Sequence, residues 1–285
     1  MRCADTTRCS QGMANACRCS TAARITSQSL SLPITTPTTG CSIPAPLRPD
    51  PKRVIMPVME GALKTSHRAI RSFVLRQGRI TAAQTRAVAE YLPARQIDAH
   101  AEWRDPWDNQ RPLLLEIGFG NGEHLAAIAA QRPTWGCIGI EVHTPGVGSL
   151  LLQLVEAGTD NVRIVHDDAV TWLKALPDAL LRCIIIQFPD PWPKKRQQKR
   201  RLIQPDFAAV LCRLLQPGGE LQLATDWADY AGQMLTVLNA TPGLQNASPD
   251  NGYVFRPDNR ILTRFERRGQ RLGHTVYDLC YRRIP

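Results

Sequence analysis

Apolar positions along the chain fall into two alternating patterns. Short unbroken apolar runs give way to longer stretches in which apolar residues recur every three to four positions. "PLLLEIG" (112–118) predicts a strand and "GEHLAAIAAQRP" a helix. The same pairing repeats in "GCIGIEV" with "GVGSLLLQLVEAG", and in "NVRIVHDDAV", a short strand that leads into a helix reaching Leu176. It repeats again in "LRCIIIQF" with "QPDFAAVLCRLLQPGG", a helix expected to be capped by glycine. "ELQLATD" with "WADYAGQMLTVLNA" follows. This succession predicts a doubly wound α/β fold, a mostly parallel sheet with helices on both faces. The last strand, "TVYDLCYRR" (275–283), alternates and is expected to pair antiparallel.

Before the first strand, residues 66–92 form a basic helical segment. Ile70, Phe73 and Val74 share a face, Gly78 breaks the pattern, and Thr81 is placed to N-cap a second helix that stops before Pro93. Arg68, Arg71, Arg76 and Arg79 supply the charge. Residues 1–58 lack periodicity and are rich in Ser, Thr, Pro, Arg and Cys, so they are expected to be a disordered extension or translation from an unused upstream start. Residues 59–285 are the expected folded domain.

Charge narrows the picture. A formal net charge of +10 favours a polyanionic partner or an anionic surface, although a basic solvated protein gives the same sum. No apolar run is long enough to span a bilayer, so no membrane role is expected. Five of the nine cysteines lie in the first 41 residues, and Cys137, Cys183, Cys212 and Cys280 sit at apolar positions. The absence of a CxxC pair argues against a metal site, and the odd count against an oxidising compartment.

Candidate chemistry clusters at strand ends. "EIGFGNGE" places Gly118, Gly120 and Gly122 between the first strand and its helix, with Glu116 just ahead. The spacing is GxGxG, not the GxGxxG of dinucleotide sites, and no phosphate-loop GK[ST] follows. An acid here repels phosphate and attracts a cationic amino group, which fits S-adenosyl-L-methionine. A tight turn or a nicotinamide site is the alternative. Glu141 ends the second strand, where a carboxylate can take both ribose hydroxyls. Asp168 follows the third, within reach of an adenine amino group, or as a helix N-cap.

The fourth strand runs into "FPDPWPKKRQQKRRL". Prolines 189 and 191 stiffen Asp190, which can then hydrogen-bond a base edge, with Trp192 as a stacking face and six basic residues among Lys194–Arg201 to hold phosphates. The bland alternative is a solvated basic turn with Trp192 in the core.

Together, "LEIGFGNGEHL", "GIEVHTPGVGSLL", "HDDAV", "FPDPWPKKRQQKRRL", "ATDW" and "TRFERRGQRLGH" resemble the bacterial tRNA (guanine-N7)-methyltransferase family, from about Ser66 to the C-terminus. The resemblance implies a class I methyltransferase with a seven-stranded sheet, which methylates a guanine at position 46 in the tRNA variable loop. It implies cofactor contacts from Glu116, Gly118, Gly120, Gly122, Glu141, Asp168 and Asp190, with Asp190 the catalytic candidate. Substrate contacts fall on Lys194, Arg196, Lys199, Arg200, Arg201 and Asp226, and on Thr263, Arg264, Phe265 and Glu266. Gln197 stands where His is familiar, and Gln187 where an aromatic or Asn is familiar.

Guanine N7 has a lone pair and loses no proton on methylation, so the task is orientation rather than strong base catalysis. Asp190 is expected to accept from guanine N1 and N2 and to offset the charge developing on the ring. Asp226 is expected to place the base or ribose, or to N-cap the next helix. Thr263 and Glu266 also fit a capping box in an arginine-rich loop. A dehydrogenase, a non-enzymatic RNA-binding protein and a methyltransferase for protein or small molecules are the competing readings. The partner is expected to be tRNA, in the cytoplasm, with the protein a monomer or weak homodimer.

Overall fold

Leucine- and isoleucine-rich runs form strands that are covered on both sides. β1 (Leu113–Ile117) and β2 (Gly136–Ile140) are buried at every position, as a parallel sheet between two helical layers requires. β3 (Val162–Val165), β4 (Leu181–Gln187) and β5 (Leu215–Thr225) complete the parallel set. β6 (Leu244–Asn246) and β7 (Tyr277–Arg283) add an antiparallel edge. The order is β3-β2-β1-β4-β5-β7-β6. This computed structural model describes residues 72–73, 78–107, 111–258 and 260–285, all within the compact unit Thr65–Pro285. The extension 1–58 and Arg68, Ile70, Arg71, Val74 and Arg76 lie outside the described residues.

Among the described residues, seven α-helices flank or border the sheet: α1 (Ala82–Tyr91), α2 (Glu123–Gln131), α3 (Thr144–Glu156), α4 (Ala169–Ala175), α5 (Pro205–Leu214), α6 (Ala228–Asn239) and α7 (Arg264–Arg271). Strand alternation sorts the core between the two faces. Leu113, Leu115 and Ile117 meet Trp172, Phe207 and Tyr230 of α4, α5 and α6. Leu114 points the other way, to Leu125 and Ile128 of α2 and Leu150 of α3. Gly139 lets α2 approach β2, since a Cβ there would lie 2.4 Å from the Leu125 side chain. Thr81 caps α1 as expected, in a full capping box with Gln84.

The neighbours of β1 are β2 on one side and β4 on the other. The chain changes winding direction there, and the carboxyl ends of β1 and β4 open a crevice.

Two expectations about elements are corrected, and one strand goes unannounced by the apolar pattern. Helix α5 does not end in a glycine cap. Leu215 turns straight to extended backbone and pairs with Leu181, and Gly218 (φ 74°) falls in β5 beside a register shift against β4. The "TRFERRGQRLGH" segment is a helix, α7, rather than a loop. The three-residue β6 is too short to show a period and was not expected.

Candidate active site

The glycine loop hangs between β1 and α2 with all three glycines left-handed: Gly118 at φ 73°, Gly120 at 56° and Gly122 at 80°. A Cβ on Gly118 or Gly120 would meet no atom within 4 Å, so backbone conformation requires glycine there and leaves open space beside it. Gly122 has a second reason, since a Cβ would lie 2.6 Å from that of Leu150.

Glu141 is tied to this loop. Gly120 N–H donates to its Oε2 at 2.9 Å, while Val142 and His143 N–H donate to Oε1 at 2.8 and 3.0 Å. The carboxylate is thereby aimed, and its remaining lone pairs can still accept from hydroxyls. Glu116 is buried and bonded to the equally buried His124, with Oε2 2.9 Å from Nδ1. The sequence does not announce His124, because nothing in "GEHL" distinguishes a buried acid's partner from an ordinary helix residue. Asp168 N-caps α4, accepting from Val170 N–H at 3.0 Å, and also lines the crevice.

Two adjoining clefts open at the switch point. The first, about 210 Å³, is lined by Ile117, Glu141, Asp167, Asp168, Pro189 and Asp190, among others. The second, about 250 Å³, is lined by Glu116, Gly120, His124, Thr263, Arg264 and Phe265, among others. Gly118, Gln187 and Phe188 belong to both.

Asp190 is exposed in a strained turn, with Phe188 at φ 49° and Trp192 at φ 42° on either side of Pro189-Asp190-Pro191. Non-glycine residues in this region carry strain that a functional site can hold. Trp192 is no stacking face. It is buried, its Nε1–H donates to the Ser72 carbonyl at 3.0 Å, and the Arg200 guanidinium covers its ring at 3.8 Å. Arg200 is thus half-buried over protein. Arg201 is corrected outright: 3% exposed, it pairs with Asp229, bonds Gln233 at 2.7 Å and donates to the Pro191 carbonyl at 2.8 Å. It braces the turn, with its guanidinium turned inward rather than toward solvent. Lys194 is exposed at the N-cap of a 3-10 helix, Lys195–Arg200, that the apolar pattern could not announce, and Arg196 and Lys199 are exposed on it.

Asp226 does not cap α6. Its Oδ2 lies 3.0 Å from His274 Nδ1, and neither cleft includes it. Thr263 caps α7, accepting from Glu266 N–H at 3.3 Å, but the capping box is only half made. Glu266, 2% exposed, turns instead to Arg260, at 2.6 and 3.0 Å. Arg260 also pairs with Asp278 at 2.8 Å. Burial raises the Asp278 carboxyl above its ordinary range against the pull of Arg260. Arg264 docks the start of α7 on Glu123, with its N–H at 2.8 Å and its Nε at 3.1 Å. Phe265 is half-exposed and packs at a tilt of 51° against Phe188, ring centres 4.9 Å apart. Among the described residues, no group of three His, Cys, Asp or Glu side chains could hold a metal, and no helix is long and apolar enough to cross a membrane.

An α/β sheet with strand-end acids around a left-handed glycine loop defines a class. The family model described as "Putative methyltransferase" matches residues 110–279. A tRNA (guanine-N(7)-)-methyltransferase of Acidithiobacillus ferrooxidans is 96% identical over 227 residues, 80% of this chain and 100% of that one. Its counterpart in Methylococcus capsulatus is 52% identical over 76% of this chain and 95% of that one. The solved 16S rRNA methyltransferase KamB overlays loosely, with TM-score 0.45 and 15% identity over 74% of this chain and 97% of that one. The chain belongs to the tRNA (guanine-N(7)-)-methyltransferase family.

Proposed function

We propose that this protein transfers a methyl group from S-adenosyl-L-methionine to N7 of guanine 46 in the tRNA variable loop, in the cytoplasm, through a catalytic domain spanning residues 59–285. The observation that carries the reading is the convergence of Glu141, Asp168 and Asp190, from the ends of three strands, on one cleft beside the glycine loop. Identity of 96% to a relative so named, across its whole length, supports the substrate.

The residues present fit the cofactor. Open space at Gly118 and Gly120 admits a ligand against the backbone. Glu116, buried in the second cleft, suits an ammonium group, and Glu141, held by three backbone donors, suits a ribose diol. Bound there, S-adenosyl-L-methionine supplies an electrophilic methyl on a cationic sulfur. Asp168 reaches toward an adenine edge while keeping its cap. Asp190 accepts from guanine N1–H and the N2 amino group, so N7 faces the methyl and positive charge growing on the ring is offset. No base is needed, because N7 carries no proton. Lys194, Arg196 and Lys199 attract tRNA phosphates without reading sequence. The target base must leave its stack to enter the cleft.

The test is transfer of labelled methyl to unmodified tRNA, followed by chemical cleavage at N7-methylguanine. Label with cleavage in the variable loop is the expected result. Label without that cleavage rejects the N7 assignment. Absence of label from protein that binds the cofactor rejects the enzyme reading in favour of an RNA-binding protein.

A further inference from the structure

Gln187 is the last residue of β4 and belongs to the wall shared by both clefts. Strand alternation fixes its direction. Ile185 lies beside Glu116 in the β1–β4 register, so Gln187, two residues on, projects from the same face as Glu116. Its Nε2 is shielded from solvent and, among the described residues, has no hydrogen-bond partner. Arg95 Nη1 is in the same position, but its guanidinium is already held through Nη2 by the Thr159 carbonyl at 2.9 Å, and Arg260 Nε and Asp278 Oδ1 also fail strict geometry but lie 2.8 Å apart and answer each other's charge. Gln187 has no such neighbour. An unpaired buried amide is unfavourable unless something supplies an acceptor. The terminal torsion of glutamine is soft, so the amide can turn toward whichever cleft brings one.

We infer that Gln187 is a specificity residue that donates its side-chain N–H to O6 of the incoming guanine. The inference rests on the guanine-N7 reading above. Asp190 lies three residues further along the same strand end and takes the N1 and N2 edge. The opposite edge of guanine carries two acceptors, N7 and O6. N7 must keep its lone pair for the methyl, so a donor at the junction of the clefts belongs on O6. Adenine places an amino donor at that position and would meet the Gln187 N–H with a second donor.

The experiment compares single-turnover methylation of tRNA bearing guanine or 2-aminopurine at the target position. It uses the full chain as wild type, Gln187→Met and Gln187→Glu. 2-Aminopurine lacks O6 and the N1 proton. The missing proton affects every protein alike, so a change in the guanine to 2-aminopurine rate ratio reports the Gln187 contact. The ratio should fall about tenfold in Gln187→Met. Gln187→Glu should slow transfer to guanine further, since it faces O6 with an acceptor. It keeps the original shape, so it carries the test if the methionine variant fails to fold. Cofactor affinity, measured by calorimetry, should stay within about threefold. An unchanged ratio in both variants overturns the inference. A slowed rate restored by excess cofactor at an unchanged ratio overturns it too, and assigns the amide to the cofactor. A wild type unable to methylate guanine at N7 removes the underlying reading itself, whereas an active wild type with an unchanged ratio removes only Gln187.

Discussion

The two clefts on either side of Phe188 are built in opposite ways. The first takes its acids from strand ends: each follows its own strand, Glu141 is held by the backbone of the glycine loop, and a distant tie is the hydrogen bond from Trp192 to the Ser72 carbonyl beside the Asp190 turn. The second depends on parts far apart in sequence. Glu123 at the start of α2 holds Arg264 at the start of α7, and Arg260 ties Glu266 of α7 to Asp278 of β7. A site made at strand ends is fixed once the sheet forms. A site closed by a late helix is only as secure as its ionic anchors.

The sharpest way to break that contrast is Arg260→Met. It leaves two buried carboxylates with only the more distant, partly exposed Arg256, 3.9 Å from Glu266, as counter-charge and should cost about 3 kcal/mol in denaturant unfolding. Hydrogen exchange should rise across α7 and not at the glycine loop. Equal loosening of both clefts would show them to be one unit. Asp190→Ala should lower single-turnover transfer by about 100-fold, with cofactor and tRNA affinities nearly unchanged. A normal rate would remove its catalytic role. Arg201→Met should cost about 2 kcal/mol, less than the Arg260 change, because its partner Asp229 is well exposed and solvent screens the pair. Neutralising Lys194 with Lys199 should leave stability within about 0.5 kcal/mol while flattening the salt dependence of tRNA binding. An unchanged slope would mean that those lysines do not meet the nucleic acid.

The same contrast governs what could be read from sequence. The glycine loop, the strand-end acids and the Thr81 cap are local signals, because turn chemistry and period-2 burial involve residues a few positions apart. Arg201 is different. Within "KKRQQKRR" nothing separates the one arginine that turns inward, since its partner Asp229 comes 28 residues later, on α6. Glu266 sits where a capping box wants it, yet Arg260 captures its carboxylate. His124 faces Glu116 across a loop whose curvature, not its composition, brings them together. The junction of α5 and β5 misleads because pairing with Leu181 outweighs the glycines that usually stop a helix.

Phe188 and Trp192, both at positive φ, hold the Pro189-Asp190-Pro191 turn between them. Glycine would adopt either conformation without strain. The strain relieved is about 1–3 kcal/mol at each position, but glycine would dissolve the aromatic partition at 188, or at 192 the covered indole, whose loss costs about 3–5 kcal/mol. In an engineering campaign this turn should be held fixed and thermal tolerance sought elsewhere, because here the softer backbone is the poorer instrument.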